Sequence, residues 1–383
     1  WASPGWGVWA SINTHPTPSR SACNLPRIQN RLGQEWSLDI LSCFPCTTLS
    51  WGCDYMLDNQ SEVSTVAHGP SSPVVAYIAG SGRSGSTMLD LLLSSNPAVQ
   101  GTGEFHRLSV YARDNLEPCT CGCPVALCPF WLKVQDVARA RIGRPSGELL
   151  KTIDPMLYPA ALNKAQSIIQ KALICSGSLS LYRMFAGPIS APHVQAAQNS
   201  LFWYSCIREA TGKQVIVDSS KDARRLFVLY AQRPQEVRVI HLIRDGRAVA
   251  ASHMRRLGIS IEEASRMWFQ ANRRAMFAMR GVSCEHRLAV RYEDMCASPL
   301  NVIRKVCSFL GIPLMESLPV LRKNVSHNIG GNPMRFRKDQ QAIVLDEKWK
   351  NILTIGELQA FERIGGQLNQ SFGYRPVGGT DSP

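Results

Sequence analysis

Tyr77-Ile78-Ala79-Gly80-Ser81-Gly82-Arg83-Ser84-Gly85-Ser86-Thr87 is the stretch whose reading decides the fold. Its apolar start reads as a buried strand and its middle as a glycine-rich turn. Its end opens a helix that the pattern carries over 88–95. Such a turn aims several backbone N–H groups at one point, and the helix N-terminus adds positive dipole there. The product is a phosphate cradle. The spacing Gly80-x4-Gly85 is that of a nucleotide P-loop, but Ser86 stands where that loop carries its lysine. In nucleotide triphosphatases the lysine reaches the β- and γ-phosphates. Its replacement points to a nucleotide without them, and Arg83 supplies charge inside the loop instead.

Strand and helix signals alternate outward from this loop. Strands are expected over 74–79, 214–218, 237–243 and 288–292. Helices are expected over 105–114, 130–141, 199–210, 223–232, 247–256, 261–279 and 299–309. The run 237–243 is almost continuously apolar, as a central parallel strand must be. The expected fold class is therefore α/β: a P-loop-like, three-layer fold with a central parallel sheet and helices on both faces. Ligands in such a sheet sit at the carboxyl ends of the strands. Residues 1–72 mix Trp, Pro, Ser and Cys without period and read as a poorly ordered extension, with one domain over 73–383. Within it, 145–195 is punctuated by Gly and Pro and reads as an insertion or lid.

The 383 residues carry 45% hydrophobic and 19% charged side chains and a formal net charge of +13. That surplus suits an anionic ligand. With no run of consecutive Lys/Arg and no aromatic-plus-basic repeat, nucleic acid is not the expected partner. The longest apolar candidate for a membrane span, 38–57, is broken by Asp39, Pro45, Gly52 and Asp54, so none is expected. The chain begins at Trp1 rather than Met, which leaves room for a segment upstream. A cytoplasmic location is the expectation, because no signal or membrane segment stands in this sequence.

Four further constellations lie where strands are expected to end. Arg244 closes the apolar strand, followed by Asp245-Gly246-Arg247, and Ser252 falls about two turns into the next helix. Arginine and serine so placed can grip a monoester phosphate, with bidentate bonds from the guanidinium. The plainer reading is an arginine salt-bridged to Asp245 or a neighbouring carboxylate. Val217-Asp218-Ser219-Ser220-Lys221-Asp222 brings a lysine to the same edge, and Gly101-Thr102-Gly103-Glu104-Phe105-His106 brings a glutamate and a histidine. Gly330-Gly331-Asn332-Pro333-Met334-Arg335-Phe336-Arg337 is a flexible basic loop. For each, a solvated helix start or a surface turn is the plainer reading.

Together these elements resemble the sulfotransferases that use 3′-phosphoadenosine 5′-phosphosulfate, over about 77–349 and closest to the bacterial, carbohydrate and tyrosylprotein branches. The pair formed by the 80–87 loop and Arg244-x7-Ser252 carries the resemblance, with Val290-Arg291-Tyr292-Glu293-Asp294 in support. Met88 departs from the cytosolic branch, which has tryptophan there. The resemblance implies donor contacts from Gly82, Arg83, Ser84, Gly85, Ser86 and Thr87 to the 5′-phosphosulfate. It implies contacts from Arg244 and Ser252 to the 3′-phosphate, with Arg335 and Arg337 adding charge. It implies Glu104 as the base on the acceptor hydroxyl, His106 as the alternative base, and Lys221 as the cation on the leaving group. The implied reaction moves a sulfuryl group to a hydroxyl, or to an amine, without metal. The implied acceptor is a carbohydrate, a small metabolite or a protein tyrosine. A bulky residue at Gly85 is expected to block the donor and spare the fold. The rival readings are a P-loop kinase or hydrolase, and a nucleotide- or polyanion-binding module.

Of 13 cysteines only Cys119, Cys121, Cys123 and Cys128 cluster. Four thiolates can hold zinc, but C-x-C-x-C-x4-C lacks the familiar paired C-x2-C spacing, and local disulfides are a second option. The expectation is a structural loop near the acceptor pocket with no metal.

Overall fold

The computed structural model describes residues 74–115, 117–317, 326–336 and 343–376. The expected extension over 1–72, the apolar stretch 38–57 and Arg337 lie outside the described residues. The first strand, β1 (Val74–Gly80), runs into α1 (Ser86–Ser94) through the glycine-rich loop. The short β2 (Val99–Gly101), a one-turn 3-10 segment Phe105–Arg107 and α2 (Leu108–Asp114) follow. Next come α3 (Pro129–Ile142), α4 (Leu149–Thr152), α5 (Lys164–Ser176) and α6 (Leu179–Thr211). The second half of the sheet is built from β3 (Val215–Lys221), α7 (Ala223–Gln232), β4 (Val237–Ile243), α8 (Gly246–Leu257) and α9 (Ile261–Met279). It closes with β5 (Arg287–Arg291), α10 (Tyr292–Ala297) and α11 (Pro299–Leu310), and α12 (Trp349–Ile352) and α13 (Ile355–Ser371) end the described chain.

The five strands pair in the order β2-β3-β1-β4-β5, all parallel. Alternation along each strand sends side chains to two buried faces. Ala76, Ile78, Val217, Ile240, Leu242 and Val290 pack with Met88, Leu89, Leu92 and Leu93 of α1 and with Ile303, Val306 and Leu310 of α11. The opposite face meets α7 and α9; His241 of β4, for instance, lies against Asn272 of α9. All seven residues of β4 are buried, which is why its sequence shows no polar alternation. The α/β fold with a central parallel sheet and helices on both faces is thus the observed one.

Helix starts follow local chemistry. Asp222 caps α7 by accepting from the N–H groups of Arg224 and Arg225, and Asp245 caps α8 through the N–H of Arg247. The segment 145–195, expected as an insertion or lid and punctuated by Gly and Pro, is largely helical. Asn163 and Gln166 form a reciprocal capping box on α5. The 33-residue α6 runs through Pro188 and Pro192 with a kink at Ser190, whose φ is −137° and ψ 30°. Proline removes a helical hydrogen bond and reads as a breaker, but here the buried Ser190 hydroxyl takes up the Ala186 carbonyl and contacts the Tyr182 hydroxyl. Packing has overridden the local signal.

The helix α13, not anticipated from the sequence, fixes the turn after β4. Asn369 accepts from the Gly246 N–H (2.9 Å) and donates to Asp245 (3.3 Å). A Cβ on Gly246 would run into Phe361 and, at 2.8 Å, Trp268, so glycine is required for that close approach. No helix among the described residues is long and apolar enough to cross a membrane.

Candidate active site at the carboxyl ends of the strands

The loops after β1, β2, β3, β4 and β5 all leave the sheet on one edge, because the strands are parallel. The loop after β1 bends through left-handed backbone at Gly80 (φ +126°), Arg83 (+69°) and Gly85 (+92°). Glycine is obligatory at both outer positions. A Cβ on Gly80 would strike the Leu242 carbonyl, and one on Gly85 would lie 2.6 Å from the Tyr292 ring. Gly82 differs: its φ is not positive, and the nearest atom to an added Cβ is His253 Cε1 at 3.8 Å. The position that fills the cradle while sparing the fold is therefore Gly82, not Gly85. Gly82→Ala is expected to leave the melting temperature within a few degrees of wild type, whereas Gly85→Ala should lower stability by about 1–3 kcal/mol through backbone strain and overpacking. Thermal unfolding of the two variants checks this; equal losses would contradict it.

The structure brings Arg83, Arg244 and Ser252 together. Arg83 Nε donates to Ser252 Oγ (2.9 Å), and Arg244 Nη1 donates to the Arg83 carbonyl (3.0 Å). Arg244 lies over the Tyr292 ring, 4.2 Å from its centroid, and its Nη2 donates to the Asp346 carbonyl (2.9 Å) and pairs with the Asp346 carboxylate (3.5 Å). Its Nε is buried without a partner. The Asp245 carboxylate is held by Arg247, which clasps it with Nε and Nη2 at 2.7–3.2 Å. The plainer reading of Arg244 is thus met in part, by Asp346 rather than Asp245. A small cavity here is lined by Arg244, Ser252, Arg255, Lys348 and Trp349. Burial pushes the Arg83 guanidinium below its usual range, and Arg256, Arg244 and Arg255 push it further, with Asp346 opposing. Among the described residues, four guanidiniums answered by one half-exposed carboxylate favour an anion.

At the ends of β2 and β3 sits an ion pair. Lys221 Nζ lies 3.2 Å from Glu104 Oε1 and also donates to the Ser219 carbonyl (2.5 Å). Lys221 holds φ at +64°, rare for a residue with a side chain, so the surroundings impose its direction. Burial resists ionisation of Glu104, but Lys221, His106 and Arg107 outweigh it and hold the carboxyl down at about 2. His106 is pushed down to about 4, chiefly by burial, with Glu104 opposing. Its Nε2 accepts from Arg107 Nε (3.3 Å), which leaves the proton on a buried Nδ1 without a partner.

The floor of the site is a buried network that the sequence reading passed over. Arg225 (1% exposed) pairs with Asp218 (0%) at 3.2 Å and donates to Tyr204 Oη (2.9 Å) and to the Pro155 carbonyl (2.6 Å). Asp218 Oδ1 also accepts from the Ser220 N–H (2.9 Å) and hydroxyl, and so fixes the turn that aims Lys221. An aspartate inside an apolar strand was the available signal; its partner, on the next helix, was not readable.

The Gly330-Gly331 loop also reaches the site. Ile329 exchanges backbone bonds with Thr102 and Glu104, and the Asn332 N–H donates to Thr87 Oγ1 (3.1 Å). Added Cβ atoms would meet Glu104 at 3.1 Å from Gly330 and Thr87 at 2.9 Å from Gly331. Arg335, expected to meet the ligand, is instead fully buried. It donates to Glu117 (2.8 Å) and to the carbonyls of Pro118 and Asn328 (3.0 Å each), as a strut under the loop. His327 of this segment converges with Cys119, Cys121 and Cys128, a grouping that the cysteine spacing alone did not contain.

Comparison with known proteins bears on what this edge does. The family model described as "Sulfotransferase family" matches residues 173–316, a span that holds Lys221, Arg244 and Ser252. Carbohydrate sulfotransferase 5 of Mus musculus is 26% identical over 179 residues, covering 40% of this chain and 45% of the relative. Carbohydrate sulfotransferase 6 of Homo sapiens is 26% identical over 180 residues, again 40% and 45%. The chain thus spans about half the length of these curated relatives. A longer match, to carbohydrate sulfotransferase 5 of Homo sapiens, is 23% identical over 360 residues and covers 82% of each chain. Among solved structures, the sulfotransferase domain of the Synechococcus PCC 7002 olefin synthase aligns with a TM-score of 0.47 and 21% identity, covering 82% of this chain and 99% of that one.

Proposed function

We propose that this chain is a sulfotransferase that transfers a sulfuryl group from 3′-phosphoadenosine 5′-phosphosulfate to a hydroxyl acceptor, with carbohydrate as the first class to test; the family-model match over 173–316 and the similarity to carbohydrate sulfotransferases support this reading. The observation that carries this reading is the direct joining of the β1 loop to α8 through Arg83, Ser252 and Arg244, on the same edge as the Glu104–Lys221 pair. The 5′-phosphosulfate would lie over the N–H groups of Gly82, Arg83, Ser84, Gly85, Ser86 and Thr87, and the 3′-phosphate by Ser252 and Arg244. A sulfuryl group carries less charge than a phosphoryl group in transfer, so lysine, arginine and backbone amides can stabilise it without magnesium. Asp245 is committed to Arg247 and to the α8 cap, which is further support for this reading over a magnesium-dependent kinase.

The free protein holds Lys221 on Glu104. When the donor's bridging oxygen draws the ammonium away, the carboxylate is left buried beside His106 and Arg107 with its main counter-charge gone. Its affinity for a proton then rises toward what a general base needs. Donor binding would in this way arm the base. His106 is the poorer candidate, since its free lone pair already accepts from Arg107.

Transfer of labelled sulfate from the donor to a panel of sugar, tyrosine and small-metabolite acceptors tests the activity. Calorimetry tests the donor assignment. Arg244→Ala should weaken adenosine 3′,5′-bisphosphate by about 1.5–3 kcal/mol more than adenosine 5′-phosphate. Taking the difference between the two ligands removes the structural cost of releasing Asp346 and the Arg83 carbonyl, which both share. Equal losses would overturn the assignment of Arg244 to the 3′-phosphate.

A further inference from the structure

Three thiols and an imidazole from distant parts of the chain meet at one point. Cys119 Sγ lies 3.6 Å from His327 Nδ1, Cys128 Sγ lies 3.5 Å from the same nitrogen, and Cys121 Sγ lies 3.5 Å from Cys128 Sγ. All four donor atoms fall within 4.8 Å of one another, and none of the cysteines is in a disulfide. A tetrahedral zinc ion, with Zn–S near 2.3 Å and Zn–N near 2.0–2.1 Å, separates thiolate from imidazole by about 3.6 Å and two thiolates by about 3.8 Å. The geometry points to a structural zinc site formed by Cys119, Cys121, Cys128 and His327, tying the 119–128 turn to the segment that carries Gly330 and Gly331.

The surroundings fit that role. The turn is tight: the Gly122 N–H donates to the Cys119 carbonyl (2.8 Å) and the Cys119 N–H to the Cys123 carbonyl (2.9 Å). It is laced to the histidine's segment by the Thr120 N–H and hydroxyl on the Asn328 carbonyl (3.1 and 3.0 Å). The His327 ring is stacked on Phe130, with centroids 4.5 Å apart and planes within 3°, which fixes Nδ1 toward the sulfurs. Backbone N–H groups of Cys121, Cys123 and Trp131 hydrogen-bond the sulfurs of Cys119, Cys121 and Cys128 and hold them in place. Three thiolates and a nitrogen in a tetrahedron select zinc, and four protein ligands leave no open position, so the ion holds structure and does no chemistry. Cys123 is outside the group.

The purified 383-residue chain, expressed with zinc and kept reduced, should carry about one zinc per chain by mass spectrometry of metals. Cys128→Ser and His327→Ala should lose it, and Cys123→Ser should keep it. Should the ligand variants fail to fold, the unmodified protein still decides the matter. An organomercurial titrating its thiols should release one zinc to a coloured chelator, and cobalt substitution should give strong thiolate-to-cobalt absorption. Substoichiometric zinc with every thiol open to alkylation, a Cys121–Cys128 disulfide in peptide mapping, or equal loss of zinc in Cys123→Ser would each overturn the site.

Discussion

Glu104→Gln is expected to lower turnover by about 10²–10⁴-fold, the usual size of a general-base contribution, and to leave donor affinity nearly unchanged. The amide keeps the shape beside Gly330 but cannot take a proton. Lys221→Met should lower turnover as well and also weaken the donor, because the proposed place of the ammonium is at the leaving group. The same variant has a signature that needs no acceptor. In the unmodified protein the Glu104 carboxyl stands near 2 against an ordinary 4.5. Its contribution to stability, about 3 kcal/mol, is therefore present above pH 4.5 and is lost as pH falls toward 2. With Lys221 gone, burial is opposed only by His106 and Arg107, so the carboxyl moves up from its low value and the loss of stability on acidification becomes smaller. Unfolding free energies measured between pH 3 and 8 for both proteins separate the two behaviours. Unchanged turnover in Glu104→Gln would move the base elsewhere, and His106→Ala would show whether to His106.

Arg225→Met costs about 3–5 kcal/mol of stability, because it strands the fully buried Asp218 without its partner. Asp218→Asn alone should cost a similar amount, and the two losses together should fall well short of additive, since the residues act as one unit. Denaturant unfolding of the two single variants and the double variant gives the coupling. A loss under 1 kcal/mol for Arg225→Met would mean that the pair is dispensable. The folded fraction of Asp218→Asn should also transfer poorly, because Ser220 and the strained Lys221 turn depend on the lost carboxylate.

Much of the fold was legible because buried parallel strands leave an uninterrupted apolar record. The helices over 223–232 and 261–279 and the strand over 237–243 were read to the residue. Such runs sit between turn residues and caps that act locally, as Asp222 and Ser260 do. Of the long α6 only the end was legible, as the helix expected over 199–210; its first part was not, since Pro188 and Pro192 argue against a helix that the buried Ser190 and its neighbours sustain. Arg335 was misplaced for a related reason. A basic residue after two glycines reads as a surface cation, and only the carbonyls of Pro118 and Asn328 and the Glu117 carboxylate make it a strut.

The sequence by itself determined the parallel α/β sheet, the glycine-rich turn from β1 into α1 and the strand-end positions of Arg244, Glu104 and Lys221. These follow from period, glycine spacing and position at strand ends, all short-range properties of a chain. Only the tertiary structure decided which partner each group takes: Lys221 on Glu104, Arg244 on Asp346, Arg225 on Asp218, and His327 among three cysteines. His327 lies 199 residues from Cys128. No local pattern encodes that distance; it is closed by the pairing of Ile329 with Gly103 at the sheet's edge, and with it come the groups whose chemistry depends on being neighbours.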